Sequence, residues 1–398
     1  MRKCNCVLAV TLAFILTAFC AFTVFAEVRG VTDTTIKIGA IADVTGPAAD
    51  AYHFVIPGWR NYINYVNDKG GIHGRKIQFV IEDDRFSIPM ALAAFKKLVY
   101  RNKVFAFSYA ASGVGQTNAI IPLVEKGKIP MISASNDPSY YKPVRRYVFA
   151  GLPFYQDQVK VLFDYLWNDL KVNRPKIALL YMDSASSRPV LHLVRKLAKK
   201  HSAPLTEIVI PIAGLDMTSQ VLLLKKTKPD YVILHGYPAN TAAVLRDAKK
   251  FNFKSQIIAM QYGFVRKTLE LARSAAKGII GINAYGSYDD NSHGMVKLRE
   301  ITGKYSPNAD YNDRNYMQGW FPSMLLCEGL KNAGRDLTNE TMVDGLERIK
   351  GFDTQGICGV INLGPNDHKT IENSRMYKVD TETLSFIPIT DWREPPSR

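Results

Sequence analysis

Cysteine is scarce in this chain: 398 residues carry five, and Cys4, Cys6 and Cys20 fall within the first twenty positions. Too few remain for a disulfide framework, so Cys327 and Cys358 either join in one bond or stay as two buried thiols. Histidine is also sparse. None of the seven (His53, His73, His192, His201, His235, His293 and His368) forms an HExxH or any other metal-ligand spacing, and His293 and His368 fall in polar turns that read as solvated. The chain lacks a GxSxG elbow, a Walker P-loop and a GxGxxG after its first strand, which argues against hydrolase, nucleotide or dinucleotide chemistry. No catalytic group, metal or cofactor is expected. Beyond the N-terminus no apolar run approaches the length of a membrane span, and no low-complexity linker divides the chain.

At the N-terminus, Arg2 and Lys3 precede an uncharged apolar run from Val7 to Phe25, the pattern of a secretory signal peptide (1–26) cut after Ala26. A lipid anchor on Cys20 is disfavoured by Phe19, where a small residue is wanted. The product is thus expected in the periplasm, and its length of roughly 370 residues suits two lobes better than one core. The net charge is +15, of which the signal carries two. The basic pairs Lys96-Lys97, Lys199-Lys200, Lys225-Lys226 and Lys249-Lys250 are dispersed and sit near predicted helix C-termini, where cations complement the dipole. No basic run with interleaved aromatics appears, so nucleic acid is not an expected partner.

What the chain does have is alternation. Ile36–Ile41 is strand-like and ends at Thr45-Gly46-Pro47; Trp59, Tyr62, Ile63 and Val66 then repeat at helical spacing. Gly70 and Gly71 close that helix, Gly74 turns the chain, and Ile77–Ile81 is again a strand, so Ile36–Asp84 is one βαβ unit. The pattern recurs through Phe105–Phe107, Pro130–Ile132, Tyr147–Ala150, Ile177–Tyr181 and Tyr231–Leu234 with helices between. Such alternation implies an α/β fold with parallel sheets covered on both faces, and ligands at the carboxyl ends of the strands. Glu82, Asp83 and Asp84 are the nearest thing to an acid–base cluster and read as structural.

The segments IKIGAIADVTGP, NDKGGIHGRKIQFVIEDD, SGVGQTNAIIPLVEKGKIPMISAS and YVILHGYPANTAAVLRDAKK resemble, in order and spacing, the periplasmic leucine/isoleucine/valine-binding protein family, the type I substrate-binding components of ABC importers. The likeness runs through the whole chain after the signal. It implies two Rossmann-like lobes joined by three hinge crossings near residues 149–152, 282–286 and 358–370. The N-terminal lobe would comprise 27–150 plus 285–358 and the C-terminal lobe 151–284 plus 359–398. It also implies a monomer that closes on a small molecule and docks on a membrane permease. A free-standing sensor of the same fold is the alternative.

By the same resemblance, a ligand carboxylate meets the loop of Ser112, Gly113 and Val114, which opens the helix carrying Gln116 and Thr117; free N–H groups at a helix start suit an anion, although Ser112 also suits a plain cap. The loop of Ser133, Ser135 and Asn136 and the ring of Tyr237 correspond to further contacts, with turn chemistry the competing account of the serines. Tyr52, Tyr109 and Tyr262 offer aromatic walls. Two departures bear on specificity. Amino-acid binders of the family carry an acidic residue where this chain has Gln261-Tyr262, and a neutral side chain cannot offset a buried ammonium. Ser187-Arg188 replace an aromatic-Gly pair, and Arg188 either meets an anion or lies exposed. The expected ligand is a small carboxylate-bearing molecule, whether an amino acid, an aromatic or aliphatic acid or an amide, and the two departures shift the expectation from leucine, isoleucine or valine toward a carboxylate-bearing or aromatic compound without a free amino group.

Overall fold

The computed structural model of the chain describes residues 28–184, 187–212 and 214–396. The signal segment and Cys20 lie outside the described residues. Five strands, β1 (Thr35–Ala42), β2 (Lys76–Asp83), β3 (Ala106–Ser108), β4 (Met131–Ser133) and β5 (Val148–Ala150), form an all-parallel sheet in the order β2-β1-β3-β4-β5. A second sheet holds β6 (Ile177–Met182), β7 (Leu205–Ile210), β8 (Tyr231–His235), β9 (Gln256–Ala259), β10 (Ile280–Asn283), β11 (Arg375–Asp380) and β12 (Ser385–Pro388). Its order is β12-β11-β10-β9-β8-β6-β7, antiparallel only at the β10-β11-β12 edge. The fold is α/β, as the alternation predicts.

The opening βαβ unit forms as read. Helix α1 (Ala49–Asp68) buries Trp59, Ile63 and Val66, and β2 pairs with β1 in register from Thr35 opposite Lys76 to Ala42 opposite Asp83. Gly70 and Gly71 take φ of 102° and 78°, and a side chain on Gly71 would run into the Arg75 carbonyl, so a residue with a Cβ fits poorly there. The helices are α2 (Ile88–Lys96), α3 (Val114–Gly127), α4 (Tyr155–Asp164), α5 (Ser187–Lys200), α6 (Thr218–Thr227), α7 (Pro238–Lys250), α8 (Arg266–Ala272), α9 (His293–Tyr305), α10 (Arg314–Ala333) and α11 (Asn339–Glu347). Lysines occupy the last turns of α2, α5, α6 and α7, in keeping with the dipole argument.

Residues 36–154 and 284–371 contribute to one large core, while 155–282 with Met376 and Tyr377 build two others around the second sheet. The stretch after 358, expected in the C-terminal lobe, puts Ile361, Leu363 and Ile371 into the first core instead. Helices α1 and α10 are the tightest junction of that core. Gly58 faces the Tyr316 carbonyl and Gly319 faces the Val55 carbonyl so closely that any side chain would collide with backbone. This pins the start of α10 relative to the first sheet.

One open alternative is resolved and one expectation is corrected here. Cys327, in α10, and Cys358 are free, buried thiols, pushed up to about 12 by burial. His368 is fully buried: its ring stacks on Phe149 at 3.8 Å, Nδ1 faces the carbonyls of Arg145 and Val148, and Nε2 meets Glu347 at 3.1 Å. Its polar sequence neighbours concealed a partner contributed by α11.

Candidate ligand-binding cleft

The carboxyl ends of β1, β3 and β4 face those of β6, β8 and β9 across a cavity of about 550 Å³. Its near wall comes from α1, the Tyr109–Val114 loop and the start of α10; its far wall comes from the loops after β6, β8 and β9. Of the residues expected at the ligand, Tyr52, Ser112, Gly113, Val114, Asn136, Tyr237, Gln261 and Tyr262 line this cavity. Ser133, Ser135 and Arg188 do not.

The acidic cluster shapes the near wall. Asp43 accepts hydrogen bonds from the N–H groups of Gly46 and Ala48, each at 2.6 Å, and Asp83 accepts from Val44 N, Arg85 N and the Thr45 hydroxyl. Asp84 accepts from Phe86 N at 3.0 Å through Oδ1, and from Ser112 N and Oγ at 3.1 and 2.6 Å through Oδ2. These three carboxylates stand within 4.8 Å of one another, close enough in principle for a cation. Every oxygen is, however, engaged by a donor of the surrounding loops, so the cluster is a loop clasp. Burial raises the Asp84 carboxyl above its ordinary value, opposed by the bonds from Ser112 and Phe86.

The same local satisfaction removes the two buried serines from the cavity. Ser133 Oγ accepts from Ser135 N at 3.0 Å, and Ser135 Oγ accepts from Asp137 N at 3.2 Å while its carbonyl takes the Tyr141 hydroxyl. Both hydroxyls hold their own turn, the competing account that the sequence left open. Arg188 lies exposed in the first turn of α5.

The far wall is different in kind. His235, 1% exposed at the end of β8, has no hydrogen-bond partner on either ring nitrogen, and burial alone pushes its imidazole down to about 4. It packs on Tyr155 at 4.9 Å; Tyr155 and Tyr237 approach Tyr262 at 5.7 and 5.6 Å. Burial also raises the phenols of Tyr52, Tyr109 and Tyr155 well above their ordinary value, so these are neutral hydroxyls. Gln261 Oε1 accepts from Ala284 N at 3.2 Å and from Gln158 Nε2 at 2.9 Å. The backbone donor fixes the amide's orientation, so Oε1 is engaged and Nε2 is the amide's remaining donor, without a protein acceptor.

The sequence reading missed His235, Tyr155 and, above all, Arg314. This first residue of α10 lays its guanidinium 4.3 Å from the centre of the Tyr262 ring across the cavity, and its Nε is buried without a hydrogen-bond partner. The adjacent Asp313 is turned to the helix start, where it accepts from Asn315 N at 2.7 Å. Among the described residues lining the cavity, Arg314 is the single charged side chain, and none is Asp or Glu.

The family model described as periplasmic binding protein matches residues 35–383. The chain belongs to the periplasmic binding protein family. Membership makes this a binding protein and not an enzyme. A leucine-specific-binding protein of Salmonella typhimurium is 22% identical over 81% of this chain and 87% of its own length. The Leu/Ile/Val-binding protein of Escherichia coli is 24% identical over 62% of this chain and 66% of its own. Among solved structures, a valine-bound branched-chain amino acid ABC transporter protein from Thermus thermophilus matches with TM-score 0.80 at 22% identity, covering 92% of this chain and 97% of that one. A fatty acid ABC transporter substrate-binding protein from Thermomonospora curvata matches with TM-score 0.76 at 21% identity, covering 92% and 94%. At these identities the structures share this periplasmic binding protein's fold, and no described helix is long and apolar enough to cross a membrane.

Proposed function

We propose that this protein is the extracytoplasmic substrate-binding component of an ABC importer, and that it captures a small carboxylate-bearing ligand lacking a free ammonium group. The cleft's charge carries this reading: one arginine and no carboxylate line it, and the polar groups left open on the far wall include the Gln261 N–H₂. An ammonium group would enter without a counter-charge, at a cost no neutral amide removes, whereas a carboxylate meets a cation and neutral donors. Relatives named for branched-chain amino acids and a fold neighbour named for fatty acids are compatible with either chemistry, and the lining supports the acid.

In this proposal a lobe of 28–154 with 284–371 and a lobe of 155–283 with 372–396 close by hinge motion at their crossings, and ligand binding biases the closed form toward a membrane permease. The polypeptide works as a monomer in the periplasm after loss of its first 26 residues. Side chains proposed at the ligand are Tyr52, Asn136, Tyr237, Gln261 and Tyr262. Matched pairs test the ligand class by calorimetry: leucine against 4-methylpentanoate, and phenylalanine against 3-phenylpropanoate. The acid of each pair is expected to bind and the amino acid not; tight leucine binding would sink the reading.

A further inference from the structure

We propose that Arg314, and not the Ser112 loop, receives the ligand's acid group, and that the same contact couples ligand charge to closure of the cleft. The proposal rests on the carboxylate-bearing ligand argued above and names the group that recognises it. Three observations carry it. At the Ser112 loop both the backbone N–H and the hydroxyl already donate to Asp84 Oδ2, so an incoming carboxylate finds Ser112's donors engaged and a carboxyl directly behind them. Arg314 is in the opposite condition: its Nε is buried with no partner, and its one hydrogen bond, from Nη2 to Asn315 Oδ1, is long at 3.4 Å. His235, a buried ring with two unpartnered nitrogens, lines the same cavity and points to a polar ligand group there.

The guanidinium carbon stands 4.3 Å over the Tyr262 ring, a contact that uses none of the N–H donors in a hydrogen bond, and Nε–H beside an Nη group is the edge that takes a carboxylate in paired hydrogen bonds. Arg314 belongs to the element packed on α1, whereas Tyr262 follows β9 in the other sheet. A ligand acid held on that edge is therefore held where the two walls already touch, and it binds the closed arrangement better than the open one, as any ligand-driven closure requires.

The test uses the full mature protein with 4-methylpentanoate and 3-phenylpropanoate and, as uncharged mimics, their primary amides. Calorimetry is run on wild type, Arg314→Gln, Arg314→Lys, Ser112→Ala and Tyr262→Leu, with apo melting curves to confirm folding and small-angle scattering to read closure. Wild type is expected to prefer each acid over its amide. Arg314→Gln should weaken acid binding about 10- to 100-fold and erase the preference, Arg314→Lys should restore part of it, and Ser112→Ala should stay within about threefold. Tyr262→Leu should bind the acid with less compaction. An Arg314→Gln protein that keeps the preference, with Ser112→Ala losing it, overturns the assignment while leaving the proposed ligand class intact; unchanged compaction in Tyr262→Leu overturns the coupling. Wild type that takes the amino acids and refuses the acids overturns the ligand class itself, and a wild type that answers no probe overturns both.

Discussion

The two walls of the cleft differ in how their polar groups are spent. In the loops behind the near wall, the carboxylates of Asp43, Asp83 and Asp84 and the hydroxyls of Ser112, Ser133 and Ser135 are engaged by one another and by neighbouring backbone N–H groups. On the far wall, His235 and the Gln261 amide nitrogen are without protein partners, and so is the Nε of Arg314, which reaches from the start of α10 to meet that wall at Tyr262. A buried group already bonded gains little from a ligand, whereas an unpaired one recovers its desolvation penalty on binding. The proposed recognition thus falls where the fold leaves hydrogen-bonding capacity open, not where hydroxyls and loops are most numerous.

The contrast can be broken in order of expected effect. Asp84→Ala should cost about 3 kcal/mol of apo stability in urea unfolding, because the N–H groups of Phe86 and Ser112 lose their acceptor; a near-wild-type midpoint would mean the near wall is not a clasp. Acidification probes the far wall. His235 titrates near 6.5 when free and near 4 in the folded protein, so the unfolded chain binds the proton first. Its contribution is complete above the free value and is lost as pH falls through that window, by up to about 3 kcal/mol. His235→Asn should flatten this acid limb in melting curves taken from neutral pH downward, and an unchanged slope would refute it.

A smaller effect is expected from Gln261→Glu. The new carboxylate keeps the bond from Ala284 N and offers charge to an ammonium, so the preference between leucine and 4-methylpentanoate should shift by about 10-fold toward leucine. No shift would show that position 261 does not face the α-substituent. Least of all, Arg188→Ala should alter stability by less than about 0.5 kcal/mol and leave acid binding untouched, as an exposed side chain off the cavity implies.

Much of the frame was legible because it depends on periodicity. The βαβ unit from Ile36 to Asp84, its glycine turns and the lysine-ended helices follow from local spacing and backbone requirements. The cleft was legible only in part. Ser133 and Ser135 misled because a hydroxyl after a strand satisfies a turn and a ligand with the same chemistry. Arg314 was invisible for the converse reason: an arginine in a helix's first turn normally faces water, and only the tertiary approach of Tyr262 gives it a partner. His235 and His368 show the same limit, since burial and a distant Glu347 are set by packing that no single-sequence pattern encodes. The mistaken place of residues 359–371 has a similar origin, as short apolar segments with turns between them fit either core.

The meeting of Gly58 and Gly319 carries a consequence for variation among related sequences. Because the two helices touch backbone to backbone, neither position has a neutral neighbour in mutational space, and drift at one cannot be compensated by trimming a side chain at the other. The rim of the cleft has no such constraint at Val114 and Tyr237, whose side chains are partly exposed there. The anchor point of Arg314 is inherited with the helix pair, so a lineage can retune what fills the cavity while the location of its one positive charge stays fixed.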